Sequence, residues 1–182
     1  MNYTNFISLS KPIVLVGMMG SGKSTVGTRL AKKLRVSFYD TDNLVQEMAG
    51  CSIDDIFKYA GEDFFREKER QVIEELLNLN NCIISTGGDA FIDEVNRKII
   101  KEKAVSIWLK ADYDTILERV SRRNTRPTLK TGNKADLVDQ LIKERYPIYE
   151  EADICVNSGD GPHMIIVEDI IQKVTKHNSK SN

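Results

Sequence analysis

A short segment near the amino end has the residue types and the spacing needed to hold a phosphate group. Gly17-Met-Met-Gly-Ser-Gly22-Lys23-Ser24 fits the pattern G-x-x-x-x-G-K-[ST] without a mismatch. Glycines let backbone N–H groups turn towards phosphate oxygens, the lysine reaches the outer phosphates, and the serine hydroxyl can face Mg²⁺. The predicted nucleotide contacts in this segment are Gly20, Ser21, Gly22, Lys23, Ser24 and Thr25.

The segments on either side of this loop are those that phosphate binding requires. Ile13–Val16 is apolar and predicts a buried strand, whereas Lys23–Leu34 places its apolar residues on one face of a helix. That helix adds the positive charge of its amino-terminal end to the loop. The sequence therefore predicts binding of a nucleoside triphosphate rather than a glycine-rich turn with a chance lysine. The phosphoryl acceptor stays open at this point: water, a protein, a nucleotide and a metabolite hydroxyl all fit.

Short apolar runs alternate with longer helix-period segments along the chain, which is typical of a parallel sheet covered by helices. Further strands are predicted at 37–39, 82–85, 105–109 and 154–156, and further helices at 64–79, 93–102, 113–123, 135–146 and 163–175. We therefore expect one α/β domain over residues 1–182, a three-layer sandwich with a five-stranded parallel sheet of the P-loop NTPase type. The polar stretches 43–61 and 124–134 are expected to be mobile, with a lid at about 122–134 and a substrate-binding region at about 40–70. The ends, about 1–10 and 176–182, are expected to be disordered.

The charge and composition of the chain give no sign of a nucleic-acid, membrane, disulfide or cysteine metal-site protein. With 26 basic and 27 acidic residues the net charge is -1, so no global field points to nucleic acid or to a membrane surface. No run approaches the ~20 apolar residues of a membrane helix. The three cysteines are odd in number and far apart, which does not fit a disulfide framework or a metal site. We expect a cytoplasmic monomer that acts on small molecules.

Two polar segments follow predicted strands, at the edge where open α/β sheets bind ligands. Asp40 and Asp42 come after the second strand, where Asp40 could support a hydrated Mg²⁺ and Asp42 could accept hydrogen bonds from substrate hydroxyls. A helix cap is the alternative role for these carboxylates. Gly87 and Gly88 follow the third strand and would let the backbone approach a ligand closely, although a plain tight turn has the same composition.

Two arginines are candidates for holding an anionic group. Arg66 precedes Glu69 by one helical turn, a spacing at which a carboxylate can fix the orientation of a guanidinium. Arg145 lies before Pro147, at the predicted end of a helix. Taken singly, each is more often a surface arginine, either in an ion pair or in solvent.

Taken in order, these segments resemble the shikimate kinases from Ile13 to about Asp153. This family belongs to the nucleoside-monophosphate-kinase-like branch of P-loop proteins and transfers the ATP γ-phosphoryl group to the 3-hydroxyl of shikimate in aromatic amino-acid biosynthesis. The resemblance implies a catalytic set of Lys23, Asp42 and Arg126, with Arg126 closing over the phosphates. It implies that Arg119 packs on adenine and that Mg²⁺ is held near Ser24 and Asp40. The implied shikimate contacts are Asp42, Phe57, Phe65, Arg66, Gly87, Gly88 and Arg145.

One position departs from the family pattern at the predicted acceptor site. Asp89 stands where shikimate kinases usually have a third consecutive glycine, and its side chain could narrow the pocket, repel an anionic substrate or cap a helix. Two alternative functions remain. A gluconate or nucleoside-monophosphate kinase would need a different acceptor pocket and would leave Arg66, Arg145 and Asp42 unexplained. A nucleotide-binding regulatory protein would be expected to lack Lys23, Asp42 or Arg126, and all three are present.

Overall fold

A sheet of five parallel strands forms the centre of the molecule, described by a computed structural model for residues 9–122, 134–159 and 161–179. Its strands are β1 (Ile13–Val16), β2 (Ser37–Asp40), β3 (Cys82–Ser85), β4 (Val105–Lys110) and β5 (Ile154–Asn157). The helices in these ranges are α1 (Lys23–Leu34), α2 (Thr41–Ala49), α3 (Ile53–Tyr59), α4 (Glu62–Leu76), α5 (Glu94–Lys103), α6 (Tyr113–Arg122), α7 (Lys134–Tyr149) and α8 (His163–Asn178).

Alternation along β1 shows why helices cover both faces of the sheet. Successive side chains of a strand point to opposite faces. Ile13 and Leu15 pack in one apolar cluster with residues of α1 and α8, whereas Val14 and Val16 pack in a second cluster with residues of α2 to α7. All four are buried, as a strand covered on both sides requires. The expected three-layer sandwich with a five-stranded parallel sheet is confirmed.

The strand order places the candidate residues at one edge of the sheet. The strands run β2-β3-β1-β4-β5, so β1 lies between β3 and β4 and the chain leaves β1 where the connections diverge. Ligands of open α/β sheets bind beyond the carboxyl ends of the strands at such a point. The segments that follow β1, β2 and β3 therefore converge there.

The stretch 43–61 is largely helical, so the expectation of a mobile polar excursion was wrong about its structure. Asp40 caps α2 by accepting from the Asp42 N–H, and Ser52 caps α3 by accepting from the Asp55 N–H. Both helices are short, but each buries one aliphatic side chain, Val45 and Ile56 respectively. Tertiary burial stabilises helices of this length, which propensity alone would not.

The chain ends and α7 also differ from expectation. Leu9 is buried, and α8 continues to Asn178, so the structured part reaches further at both ends than predicted. Helix α7 continues through Pro147 to Tyr149 instead of ending before the proline. The predicted lid lies mostly outside the described residues. None of the helices in the described ranges is long and apolar enough to cross a membrane.

Candidate active site

An open cleft of about 1470 Å³ lies at the carboxyl edge of the sheet and brings the predicted site residues together. Its walls come from the phosphate loop, from α2, α3 and α4, from the turn after β3, and from α6 and α7. The predicted residues that line it are Gly20, Gly22, Lys23, Ser24, Thr25, Asp40, Asp42, Phe57, Phe65, Arg66, Gly87, Gly88, Arg119 and Arg145. Ser21, also in the phosphate loop, is buried, and Arg126 lies outside the described residues.

The phosphate loop has the curled backbone that the sequence predicted. Gly17, Gly20 and Gly22 have φ angles of 137°, 79° and 92°, which residues with a side chain rarely adopt. The Lys23 ammonium donates to the carbonyl oxygens of Gly17 at 2.7 Å and Met18 at 2.8 Å. The side chain of Lys23, the first residue of α1, therefore folds back along the inside of the loop.

An oxygen-rich group lies where β1, β2 and β3 end. The Ser24 hydroxyl donates to Asp40 Oδ2 at 2.6 Å and lies 3.3 Å from the Ser85 hydroxyl. Asp40 caps α2, which is the alternative role considered for it, and its second oxygen accepts from the predicted magnesium ligand Ser24. Its role in holding Mg²⁺ stays a prediction. Ser85 was not singled out from the sequence, since a serine at the end of a strand carries no motif. Within the described ranges, no group of three or more His, Cys, Asp or Glu residues is arranged to hold a metal ion.

Gly87 lets two carboxylates approach the backbone after β3. A Cβ atom at this position would lie 2.8 Å from Glu69 Oε1 and 2.9 Å from Asp42 Oδ1, closer than real Cβ atoms come to other groups. The Gly87 N–H donates to the Thr41 hydroxyl at 3.2 Å, which holds the turn against the start of α2. At Gly88 a Cβ would meet nothing closer than 3.5 Å. Of the two glycines after β3, Gly87 is therefore the one where a side chain would collide with the carboxylates of Glu69 and Asp42.

Arg66 is enclosed by three carboxylates. Its Nη1 donates to Glu69 Oε2 at 3.0 Å, and its Nη2 donates to Glu62 Oε1 at 3.0 Å and to Asp89 Oδ2 at 2.9 Å. Glu69 is 1% exposed, so the predicted Arg66–Glu69 contact exists and is not a surface ion pair. Burial disfavours the charged form of Arg66, but hydrogen bonding to Asp89 and the charges of Glu69 and Asp89 outweigh it and raise the pKa of the guanidinium.

Burial also dominates the titration of Glu69. Desolvation raises the pKa of this carboxyl to about 7, although the charge and hydrogen bond of Arg66 oppose the shift and the carboxylates of Asp42 and Asp89 reinforce it. The carboxyl group that accepts from Arg66 Nη1 thus belongs to a residue, Glu69, whose pKa is close to neutral pH.

Arg145 approaches the same region from α7. Its Nη2 lies 2.5 Å from Asp89 Oδ1, an ion pair without hydrogen-bond geometry, and its buried Nη1 has no hydrogen-bond partner within the described residues. The Tyr149 hydroxyl donates to the Gly88 carbonyl oxygen at 2.5 Å and joins the last turn of α7 to the glycine turn. Burial of Tyr149 and its ring contact with Trp108 stabilise that turn beyond Pro147.

Two aromatic rings form one wall of the cleft. Phe57 of α3 and Phe65 of α4 have ring centroids 5.1 Å apart, tilted by 39°. Phe65 is buried and carries the Arg66 guanidinium over its ring at 5.3 Å. The wall is apolar and lies directly beside the Arg66 guanidinium. The contact of these rings with shikimate, which the family resemblance implies, stays a prediction.

Arg119 connects the phosphate loop to the segment after β5. Its guanidinium donates to the carbonyl oxygens of Gly20 at 3.1 Å and Gly159 at 2.9 Å. The Ser158 hydroxyl donates to the Ser21 carbonyl oxygen, a second link between the same two segments. Neither link was predicted, because the segment after β5 contains no recognisable motif, and His163 was likewise not predicted to line the cleft.

Comparison with known proteins agrees with this arrangement. The family described as "Shikimate kinase" matches residues 19–175. A shikimate kinase from Rhodopseudomonas palustris is 48% identical over 161 residues, which is 88% of this chain and 79% of that protein. The structure of a shikimate kinase from Acinetobacter baumannii in complex with shikimate superposes with a TM-score of 0.87 and 32% identity, covering 91% of this chain and 93% of that one.

A gluconokinase from Sinorhizobium meliloti is also similar in structure, with a TM-score of 0.58 and 18% identity over 93% of this chain and 94% of that one. At that identity the likeness shows the fold alone. By contrast, the shikimate kinase family matches most of the chain, and a shikimate kinase is 48% identical to it. The chain belongs to the shikimate kinase family.

Proposed function

We propose that this chain transfers the γ-phosphoryl group of ATP to the 3-hydroxyl of shikimate, giving shikimate 3-phosphate and ADP, a step of aromatic amino-acid biosynthesis. One observation carries the proposal beyond family membership. Asp42, Arg66 and Arg145 line the same cleft as the phosphate loop. A small polyol with an acid group needs a carboxylate for its hydroxyls and guanidinium donors for its own carboxylate.

The phosphate end of the cleft binds and orients the nucleotide. Backbone N–H groups of Gly20, Gly22 and their neighbours cradle the phosphates, and Lys23 moves from its carbonyl partners to the β- and γ-phosphates. Ser24 and Asp40 offer hard oxygen donors within 2.6 Å of one another, a donor set that fits Mg²⁺. When bound, Mg²⁺ neutralises charge on the phosphate oxygens.

The acceptor end of the cleft binds and orients the cyclohexene ring of shikimate. Asp42 accepts from the reacting hydroxyl group and aims its oxygen at the γ-phosphorus, and Arg66 and Arg145 hold the carboxylate. Gly88 offers its N–H, and Phe57 and Phe65 wall the ring. Phosphoryl transfer has a loose transition state, so positioning and charge neutralisation contribute more than strong base catalysis.

Two further roles in the proposal concern the nucleotide. Arg119 lies between Gly20 of the phosphate loop and Gly159 of the segment after β5, which supports a place for it beside the adenine. Arg126, outside the described residues, is proposed to close over the phosphates and to exclude water from the reaction.

The decisive experiment offers the purified protein MgATP with shikimate, gluconate, AMP or no acceptor, and follows ADP release. We expect release with shikimate and background release in the other arms. Release with gluconate or AMP but not with shikimate would overturn the proposal in favour of another small-molecule kinase. Nucleotide binding without release in any arm would favour a regulatory protein.

The proposal extends to the state of the molecule in the cell. We infer a monomer in the cytoplasm, where ATP is available and where the free cysteines Cys51, Cys82 and Cys155 stay reduced. Light scattering at micromolar concentration tests the monomer, for which a mass near 20.6 kDa is expected. A mass twice as large would contradict it.

A further inference from the structure

Asp89 lies between the two arginines that are proposed to receive the substrate carboxylate. Its Oδ2 accepts from Arg66 Nη2 at 2.9 Å, and its Oδ1 lies 2.5 Å from Arg145 Nη2. One oxygen thus faces each guanidinium, which is how a ligand carboxylate would bridge the pair. The side chain of Asp89 therefore occupies the place of the anion it resembles chemically.

The fit of Asp89 in this place is incomplete. Its contact with Arg145 is an ion pair without hydrogen-bond geometry, and the buried Nη1 of Arg145 has no hydrogen-bond partner in the part of the chain that the structure describes. Arg66 already holds Glu69 and Glu62. A carboxylate that satisfied both guanidiniums with good geometry would therefore gain contacts that Asp89 does not make.

The backbone allows this exchange to be local. The Asp89 carbonyl oxygen accepts from the N–H groups of Ile92 and Asp93, so the main chain of the turn is fixed by its own hydrogen bonds. The side chain is 30% exposed and has a route into solvent. Rotation of the Asp89 side chain alone would break its contacts with Arg66 and Arg145.

We propose that Asp89 is a specificity-determining residue, an internal carboxylate that occupies the Arg66–Arg145 anion site until the substrate carboxylate displaces it. This inference rests on the proposed function in assigning that site to shikimate. Two carboxylates at one position repel each other, so binding of an acidic acceptor requires Asp89 to leave. A small anion that offers only charge cannot compensate for its departure, whereas a substrate with hydroxyl and ring contacts can. Asp89 thus raises KM for the acidic acceptor and excludes simple anions.

The test compares wild type with Asp89→Asn, which keeps the shape and removes the charge, and with Asp89→Gly. We expect KM for shikimate to fall about two- to fivefold in both variants with kcat within about twofold, the range of a partly exposed ion pair. The carboxamide of shikimate carries no charge, and its KM should not fall. Glu62→Gln removes another carboxylate from Arg66 without vacating the bridge to Arg145 and should lower KM less.

A second arm uses acetate as a probe of the anion site. Acetate should bind Asp89→Asn in calorimetry and compete with shikimate, whereas wild type should show neither effect. Adding Arg66→Met to Asp89→Asn should abolish acetate binding. An unchanged or raised KM for shikimate in Asp89→Asn would overturn the inference, because a raised KM means that Asp89 holds the arginines ready for the substrate. Failure of the proposed function would instead appear as no ADP release with shikimate in any variant, and acetate binding would then decide the role of Asp89 alone.

Discussion

The two ends of the cleft hold their cations in different ways. At the phosphate end, Lys23 donates to two backbone carbonyl oxygens of its own loop. At the acceptor end, Arg66 and Arg145 contact side-chain carboxylates, which belong to α4 itself and to the turn after β3. Backbone partners follow from the loop conformation, whereas carboxylate partners carry charge and can be changed by one substitution. The phosphate end is thus set by main-chain geometry, and the acceptor end by a balance of side-chain charges.

The largest effect is expected at the phosphate end. Lys23→Met should lower kcat about 10³-fold with every acceptor that supports turnover, since a charge contact to the transferred group is lost. ADP release under saturating substrates measures it. Lys32→Met, an exposed change on the same helix, is the control and should keep wild-type turnover. A loss confined to KM would show that Lys23 binds the nucleotide without stabilising the transition state.

At the acceptor end, Asp42→Asn separates aiming from nucleotide binding. We expect kcat with shikimate to fall about 10²-fold, as for loss of a positioned acid–base group, and the affinity for ATP to stay unchanged. Steady-state kinetics and calorimetric titration with nucleotide measure the two quantities. Asp139→Asn, at an exposed site of α7, controls for loss of a carboxylate. Weaker ATP binding in Asp42→Asn would mean that the two ends are not separable.

A smaller effect is expected from filling the space above Gly87. In Gly87→Ala the new methyl group meets Glu69 Oε1 and Asp42 Oδ1 below 3.0 Å, so one carboxylate must shift. Misplacement of a reacting group typically costs tenfold or more, and we expect kcat/KM to fall about tenfold. Gly88→Ala, whose methyl group meets only ordinary contacts from 3.5 Å, should lose less. The reverse order would show that Asp42 is not held at the place described.

The smallest effect concerns stability and the charge balance itself. The pKa of Glu69 is about 7 in the folded chain against an ordinary 4.5, so the folded state binds this proton more tightly than the unfolded state. Its contribution is therefore fully present below pH 4.5 and is lost as the pH rises towards 7, by an amount on the order of 2–3 kcal/mol.

Urea unfolding at pH 5, 6 and 7 measures this slope. Glu69→Gln should flatten it between pH 5 and 7, whereas Glu62→Gln, at an exposed carboxylate on the same arginine, should keep the wild-type slope. An equal slope in wild type and Glu69→Gln would mean that Glu69 stays ionised throughout and that the acceptor end carries more negative charge than described.

The contrast between the two ends of the cleft also explains which parts of the molecule could be predicted from the sequence. The phosphate loop lies in consecutive residues, and its conformation follows from glycines and the strand and helix that flank it. The strands of the sheet were predicted for a similar local reason, since each contains a short run of apolar or aromatic residues. Helices α2 and α3 were missed because they are short and owe their stability to burial of Val45 and Ile56, which depends on the assembled fold.

The arrangement of the acceptor end could be predicted only in part. The spacing of Arg66 and Glu69 on one helix predicted their contact. Asp42 and Arg145 were singled out from their positions in the sequence, and the family resemblance supplied their roles towards shikimate. The position of Asp89 between two arginines depends on how α4, α7 and the turn after β3 meet, which no local pattern encodes. The close approach of two carboxylates over Gly87 has the same origin.

The hydrogen bond from Tyr149 to the Gly88 carbonyl has a consequence for the speed of events in the cleft. It clamps the end of α7, which carries Arg145, to the turn that carries Asp89, so the two main-chain segments keep a constant separation. Release of Asp89 then needs a side-chain rotation out of its contacts with Arg66 and Arg145, but no rearrangement of the main chain. Side-chain rotations are fast compared with catalytic turnovers, which take milliseconds or longer, so we expect the movement of Asp89 itself to leave the rate of the reaction to other steps.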